Sequence, residues 1–531
     1  MVFISHSSLD FNEAKSICDY IEMLGFSTWI CERDLDKTKQ SWPDELMNAL
    51  TNSDFVLVLV TKNSIESGEV DNEISNASAM NKNVIPFILT DQKMPQKLVY
   101  FLRKYEWIKA FSMDRNAALD LLRCRLFENT NEEREHFWSI IKSRNFKSFV
   151  TKVVSSYYKI HTFDINGQNY ALNIIESKIK GTANTIKDFD SICSFSDSNI
   201  EFDIEKHQEY INWPFYYEYS TILEGTIRYP NRPGYMLDDF KLDADGKLNG
   251  ISVHIGTYAE NVYSSHILEY ELFKAYEKYH HEDLDNPDAL KKIFSELYIR
   301  NKITESVTEN GSKPISSIFF SGLGRESLLS VQMIVIIKSK RTGKYEIKIA
   351  QRSNNVAAAP GIYQLMPAGG FEILNDSDDD IYDEFELFSN LSVGCAIFRE
   401  YLEELFNMPE FEGHSTGSVE DRLLKDARVV EIEELLKNKK AEFLFLGTIL
   451  DLCDLRQELS FALVIHDDNY SEKRFLANEE CKKGVMNNVP IEEFDNMGFI
   501  WNNLHGPSAA MWKMFKETET YRRILEESKK D

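Results

Sequence analysis

Phe55-Val-Leu-Val-Leu-Val60, followed by Thr61–Ala79 (TKNSIESGEVDNEISNASA), decides the fold of the N-terminal region. The apolar run bounded by polar residues predicts a strand buried on both faces. After a turn containing Ser and Gly, Val70, Ile74 and Ala77 recur at spacings of four and three, which suit one face of a helix. Glu73 therefore falls in the first turns of a helix, just past the C-terminal end of a parallel strand. In open α/β sheets that edge is where ligands bind. A glutamate near a helix start is by default a favourable partner for the helix dipole. Held beside an apolar strand end, it is also placed to stabilise a developing positive charge.

The flanking sequence extends the pattern. Val2-Phe-Ile4 predicts a first strand, and Ser5–Asp10 a polar turn. Phe11–Leu24 carries Ala14, Ile17, Ile21 and Leu24 at helical spacing, with Gly25 as its C-terminal stop. Phe26–Cys31 predicts a second strand, Glu32–Ser41 a charged loop, and Trp42–Leu50 a helix with Pro43 at its start. Asn83–Leu89 predicts a fourth strand. Strands and helices alternating at this spacing imply a parallel sheet with helices on both faces.

Composition bounds the rest. A chain of 531 residues is too long for one ordinary core. Its 43% apolar share, with 34 Phe and 24 Tyr, fits well-filled globular cores rather than disorder. A formal charge of -26 argues against non-specific nucleic-acid binding, which requires a basic face. The 7 cysteines are scattered with no CxxC spacing, so buried reduced thiols are expected rather than a disulfide framework or a zinc site. No apolar run approaches the roughly 20 residues needed to span a bilayer. The start, VFIS, lacks a signal-peptide pattern, and the expectation is a cytoplasmic protein that does not engage membranes.

The order FISHSS, a helix ending in GF, STWICERDL, SW opening a helix, DFVLVLVTKNS and VDNEI resembles a bacterial TIR domain across nearly all of residues 1–110. The resemblance implies a flavodoxin-like parallel sheet and cleavage of NAD+ at the nicotinamide–ribose bond. It places the catalytic glutamate on Glu73 and nucleotide contacts on His6, Ser7, Ser8, Arg33, Asp36 and Trp42. It also implies self-association through the TIR domain. The bare composition of the loop, with Arg33, Asp34, Asp36, Lys37 and Lys39, equally describes a solvated surface.

Beyond about residue 130 the chain reads as a helical linker, Glu128–Ser155, and then an aromatic-rich α+β region to about residue 325. His254, His266 and Glu269 lack the short spacing of a metal site. Helical periodicity returns at Ser264–Tyr279, and no motif assigns this region a function.

From about residue 326 to 531, Leu328–Lys338 predicts a long strand that pairs with Tyr345–Gln351 through the turn Arg341-Thr-Gly343. Gln364-Leu-Met-Pro-Ala-Gly-Gly-Phe-Glu372, the acidic segment DSDDDIYDEFE and Arg399-Glu-Tyr-Leu-Glu-Glu-Leu405 follow. On a helix Glu400, Glu403 and Glu404 share one face. Clustered carboxylates repel unless cations neutralise them, which argues for Mg2+ or Mn2+. The glycine loop and RE-x-x-EE helix resemble the Nudix hydrolase signature, with an α/β/α sandwich fold. The resemblance adds the Gly369 carbonyl as a metal ligand and hydrolysis of a nucleoside diphosphate. In this chain the acidic segment lengthens the spacer, and Phe406 stands where the family has glycine. Glu458 is a further candidate acid.

Three readings follow. In the first, a NAD+-cleaving TIR effector of anti-phage type is assembled by a nucleotide signal that the Nudix-like domain binds or degrades. In the second, the Nudix-like domain hydrolyses NAD+ or ADP-ribose and the TIR domain is an interaction module. In the third, both sites only bind.

Overall fold

A computed structural model of the chain describes residues 1–23, 26–35, 42–80, 82–92, 94–103, 105, 107–113, 115–127, 130–196, 213–223, 232–352, 361–374, 391–408, 418–476 and 481–529. The fold is mixed α/β, in two compact units. One comprises Met1–His136 with Tyr216–Glu224, the other Phe137–Phe215 with Gly225–Asp531.

In the first unit, β1 (Val2–Ser5), β2 (Thr28–Trp29), β3 (Phe55–Val60) and β4 (Asn83–Ile88) form a parallel sheet in the order β2-β1-β3-β4. Alternation along each strand sorts side chains between two cores. Val2, Ile4, Leu57 and Phe87 pack under α1 (Phe11–Met23) and α6 (Arg115–Phe127), through Ile17, Ile21 and Leu122. Phe3, Val58, Val60 and Ile88 face α3 (Trp42–Asn52), α4 (Gly68–Ala79) and α5 (Gln96–Leu102). Val70, Ile74 and Ala77 are buried as the periodicity predicts. The stretch expected as the strand Phe26–Cys31 pairs only at Thr28–Trp29, and the expected loop after it begins with the helical turn α2 (Cys31–Asp34). The Asp34 carboxylate explains the turn, because it accepts from the Ile30 N–H at 2.8 Å and holds the backbone coiled.

The second unit is built on an eight-stranded mixed sheet. Two short strands, β5 (Phe163–Ile165) and β6 (Gln168–Tyr170), form a hairpin ahead of β7 (Leu172–Glu176). β8 (Cys193–Phe195), β9 (Pro233–Leu242) and β10 (Leu248–Thr257) make a separate three-stranded sheet. The large sheet contains β11 (Leu329–Lys338), β12 (Tyr345–Arg352), β13 (Tyr363–Leu365), β14 (Ala368–Gly370), β15 (Ala441–Asp451), β16 (Arg456–Ile465) and β17 (Cys481–Pro490). Its order is β13-β12-β11-β16-β15-β7, with β14 on β11 and β17 on β12. β7 thus comes from the stretch that reads in sequence as lying between the outer domains. Val331, Met333, Leu459 and Phe461 face the helix Val393–Phe406, whereas Ile334, Ile336, Ala462 and Val464 face the helix Gly506–Lys516. The stretch read as one helical linker is two helices, Thr130–Ile141 and Arg144–Tyr158; Ser143 caps the second by accepting from the Phe146 N–H at 3.1 Å.

Arg300, fully buried on the helix Tyr298–Val307, joins the helical layer to the sheet. Its guanidinium donates to Tyr158 Oη at 2.9 Å, to the Leu452 carbonyl at 2.8 Å and to the Cys453 carbonyl at 2.5 Å. Glu271, equally buried, lies 3.9 Å away. Burial pushes the Glu271 carboxyl up to about 7 against the opposing pull of Arg300. Removing one member of a buried ion pair costs about 3–5 kcal/mol. Arg300→Met is therefore expected to lower the melting temperature of the second unit by several degrees, and Glu271→Gln by much less. Thermal unfolding by circular dichroism checks the ranking.

Candidate active site

β1 and β3 run parallel and end together, so Ser5 and Val60 deliver their following loops to one edge of the sheet. The loop after β1 is fixed from both sides. Ser7 caps a short 3-10 turn by accepting from the Leu9 N–H at 3.4 Å. Asp10 accepts from Thr61 Oγ1, and from Asn63 Nδ2 at 2.6 Å, tying this loop to the one after β3. The chain then enters α4, where Ser67 Oγ accepts from the Val70 N–H.

Glu73 sits one and a half turns into α4, only 8% exposed. Ser5 Oγ donates to its Oε2 at 2.6 Å, a short bond of the charge-assisted kind. His6 is buried next to Ser5, with Nδ1 3.1 Å from the Ile4 carbonyl and Nε2 2.7 Å from Glu32 Oε2. The arrangement is a carboxylate held at a strand end, with one hydroxyl fixing its rotamer. Charge at such a position can oppose a positive charge on a bound molecule without reorganising.

The sequence-predicted contacts divide. Ser5, His6 and Glu73 are linked through adjacent residues and a direct bond, whereas Ser8 is exposed. Arg33 is directed elsewhere: it donates to Glu22 Oε1 at 2.6 Å, to the Thr28 carbonyl at 2.9 Å and to Asp34 Oδ1 at 2.8 Å. Those bonds, Asp34's foremost, hold its guanidinium charge above the ordinary arginine range. Asp36 lies outside the described residues, and Trp42 opens α3 with its side chain likewise outside them. Ser5 and Glu32 are the members that sequence reasoning missed. Both precede or follow strand residues with no periodic signal of their own.

In the second unit, Gly369 lies on β14 against the Glu400 carboxylate. A Cβ there would come within 2.3 Å of both carboxylate oxygens, so any other residue would displace the Glu400 carboxylate. Arg399 donates to Glu400 Oε1 at 2.7 Å and to the Gly370 carbonyl at 3.0 Å, and its Nε lies 3.9 Å from Glu403. Glu404 Oε2 accepts from the Ala368 N–H at 3.0 Å. Oxygen donors of this kind suit Mg2+ or Mn2+. Glu400, Glu403 and Glu372 gather around Arg399, beside Gly369, and these carboxylates with the Gly369 carbonyl are the groups that would hold such an ion. Among the described residues Cys18, Asp19 and Glu22 also bring three ligand atoms within 4.8 Å of one another, and Arg33 pairs with Glu22 there. No chemical step is routed through a metal in either place.

A third cluster was not legible in sequence beyond Glu458. Asp451, Asp454 and Arg456 sit at the β15–β16 turn, with Glu269 on the helix Ile267–Tyr279 and His505 ahead of the helix Gly506–Lys516. Arg456 donates to Ser330 Oγ at 3.0 Å and lies 3.6 Å from Glu458. Burial, aided by Asp454 and Asp451, pushes Glu269 up to about 8; burial likewise raises Glu458 to about 7 and drives His505 down to about 3. Yet Glu269, Asp451, Asp454, Arg456 and His505 all keep some accessible surface. Buried groups with perturbed protonation that keep some surface are binding-site candidates. His254 is separate from them, clamped between Asp238 and Glu326 at 2.7 Å each. Burial opposes its charge, but the two carboxylates outweigh burial and raise it to about 10.

Residues 2–123 match the family model described as TIR domain. With the β2-β1-β3-β4 parallel sheet, that makes the N-terminal region a TIR domain. No curated protein matches the chain. Among solved structures, a MutT/nudix family protein from Enterococcus faecalis is 12% identical, covering 38% of this chain and 68% of that one, at a TM-score of 0.20. A metazoan TIR-STING receptor from C. gigas, in complex with 2',3'-cGAMP, is 14% identical, covering 59% of this chain and 87% of that one, also at 0.20. Neither likeness carries the reading of the site.

The buried acids give a pH signature. A carboxyl whose folded pKa is raised binds a proton that the unfolded chain has released, so stability falls as pH rises toward the folded value. For Glu269 the window runs from 4.5 to about 8. Above about pH 7.5 the lowered His505 and His266 are neutral in both states and no longer oppose it. The melting temperature is expected to fall as pH rises from about 7.5 to 8, and Glu269→Gln to flatten that fall, as thermal scans across the window would check.

Proposed function

We propose that the TIR domain hydrolyses NAD+ at the nicotinamide–ribose bond, with Glu73 as the carboxylate that supports the reacting ribose. The observation that carries this reading is the buried Glu73 carboxylate fixed by Ser5 Oγ at the C-terminal edge of the parallel sheet. In the reaction the C–N glycosidic bond breaks and its electron pair leaves with nicotinamide, which departs as a neutral base. Water adds to the ribosyl carbon and loses a proton, giving ADP-ribose. A leaving group that needs no protonation makes one anionic residue sufficient. Glu73 opposes the positive charge on the ribosyl carbon, as carboxylates do in glycoside hydrolysis. Ser5 is a positioning residue, acting through Glu73.

Activation is by assembly of TIR domains, and the second unit is a ligand-responsive module of an anti-phage type of effector. Support for a ligand site in that unit is the set of acidic side chains, Glu372, Glu400 and Glu403, gathered around Arg399 beside Gly369. Cytoplasmic action fits this reading, and no helix among the described residues is long and apolar enough to cross a membrane.

Chromatography of the products from NAD+ tests it. Nicotinamide is expected with chelator as well as with Mg2+, at a rate per molecule that rises with protein concentration. Glu73→Gln should lower it about 100-fold or more, a typical loss for removing transition-state electrostatics. Ser5→Ala should lower kcat about tenfold with little change in KM, and Ser5→Thr should restore part of it. Unchanged nicotinamide release in Glu73→Gln would end this reading. AMP appearing only with metal would instead make the second unit the catalyst.

A further inference from the structure

The notch where the β11–β12 turn meets β17 holds an unusual concentration of positive charge for so acidic a chain. It is a cavity of about 410 Å3 lined by Ser339, Lys340, Arg341, Lys348, Ser471 and Asn488, with Glu346 and Glu472 at its sides. A volume of that size is within the range of small-molecule sites. Formal charge over the whole chain is -26, so three cations in one recess do not follow from composition.

Lys348 is the informative member. It lies on β12 directly opposite Asn488 of β17 and is 5% exposed. Its Nζ donates to Asn488 Oδ1 at 2.7 Å and sits 3.8 Å from the centre of the Phe475 ring. An ammonium has three donors. One meets Asn488 and the aromatic face covers a second direction, with no carboxylate bonded to it. Replacing a buried charge by an apolar side chain of similar volume is often neutral or stabilising, so a lysine at this position is not there for packing alone. Lys340 is held by Glu472 at 2.8 Å, and its backbone N–H meets Ser471 Oγ at 3.0 Å, which fixes the turn over the cavity. Arg341 is exposed on the same turn and makes no ion pair among the described residues. Ser471 Oγ is spent on the Asp468 carbonyl at 2.6 Å, so the recess offers a buried ammonium, an exposed guanidinium and the Ser339 hydroxyl.

We infer that this notch binds a phosphate-bearing small molecule, with Lys348 as the fixed charge at its floor and Arg341 closing on the phosphate from the rim. Guanidinium and ammonium groups together with a hydroxyl donor match phosphate oxygens in charge and number. The inference is independent of Glu73 and of the Arg399–Glu400 region.

Calorimetric titration of the full chain with inorganic phosphate, ribose 5-phosphate and ADP tests it. Binding of at least one phosphate ester at pH 7 is expected, weakened tenfold or more by Lys348→Met and by Arg341→Glu. The rim variant changes only an exposed residue, so it reads out binding even if the buried variant unfolds. Burial lowers the Lys348 ammonium to about 8, against the pull of Glu346. The other charged groups facing the notch are Glu346, Glu472, Lys340 and Arg341. Affinity should therefore drop as pH rises through 8. No binding by any of the three probes, or equal affinity in wild type and Arg341→Glu, would overturn the inference.

Discussion

A guanidinium with no access to water, Arg300, is the constraint on which the second unit depends. Burying a lone cation would cost several kcal/mol, so its position is tenable only where carbonyls and a counter-charge are already fixed. Those groups come from three separate elements: Tyr158 at the end of one helix, Glu271 in another, and the Leu452 and Cys453 carbonyls at the β15–β16 turn. The turn is thereby held against the helices, and with it Asp451, Asp454 and Arg456. Nearby Arg325, 3% exposed, has no hydrogen-bond partner on any guanidinium nitrogen among the described residues, and burial lowers it to about 10. At the turn itself Arg456 is matched by Glu458, Asp454 and Asp451.

The TIR domain solves the same problem on a smaller scale. Its sheet is apolar on both faces, so polar groups are confined to the strand ends. There each one is matched: Asp10 with Thr61 and Asn63, Glu73 with Ser5, His6 with Glu32. A carboxylate treated in this way keeps one rotamer and stays at the edge where a ligand arrives. Leu9, 80% exposed beside these pairs, leaves the same edge with an apolar tip in solvent.

Much of the architecture was legible because it is written locally. The run Phe55–Val60 and the Val70, Ile74, Ala77 spacing fix a strand and a helix through contacts a few residues apart, and both stand where they read. The second strand was overestimated because a capping carboxylate, Asp34, outcompetes β-propensity at Cys31. Site partners were harder. Ser5 and Glu73 are 68 residues apart, and nothing in either segment encodes the bond. Asp451 and Asp454 carry no signal of their own in the sequence, since the turn that holds them is fixed by Arg300, 152 residues from Leu452. Gly369, the Glu400 face and an Arg399 that orients a carboxylate were visible as a pattern, and the carboxylate it bonds is Glu400.

That pairing bears on how the second unit works. A carboxylate set poised for divalent ions holds like charges close and depends on the metal to relieve them. Here Arg399 relieves Glu400 covalently adjacent to it, and the Ala368 N–H relieves Glu404. Arg399 is one cation among Glu372, Glu400 and Glu403, so the cluster keeps a net negative charge. The same sheet carries further buried charges at the β15–β16 turn and at Lys348. Charges left unmatched inside a fold lower its stability, and a ligand that matches them returns that free energy on binding. A unit arranged in this way is suited to report a bound molecule through its own stability, which is what the proposed control of the TIR domain by assembly would require of it.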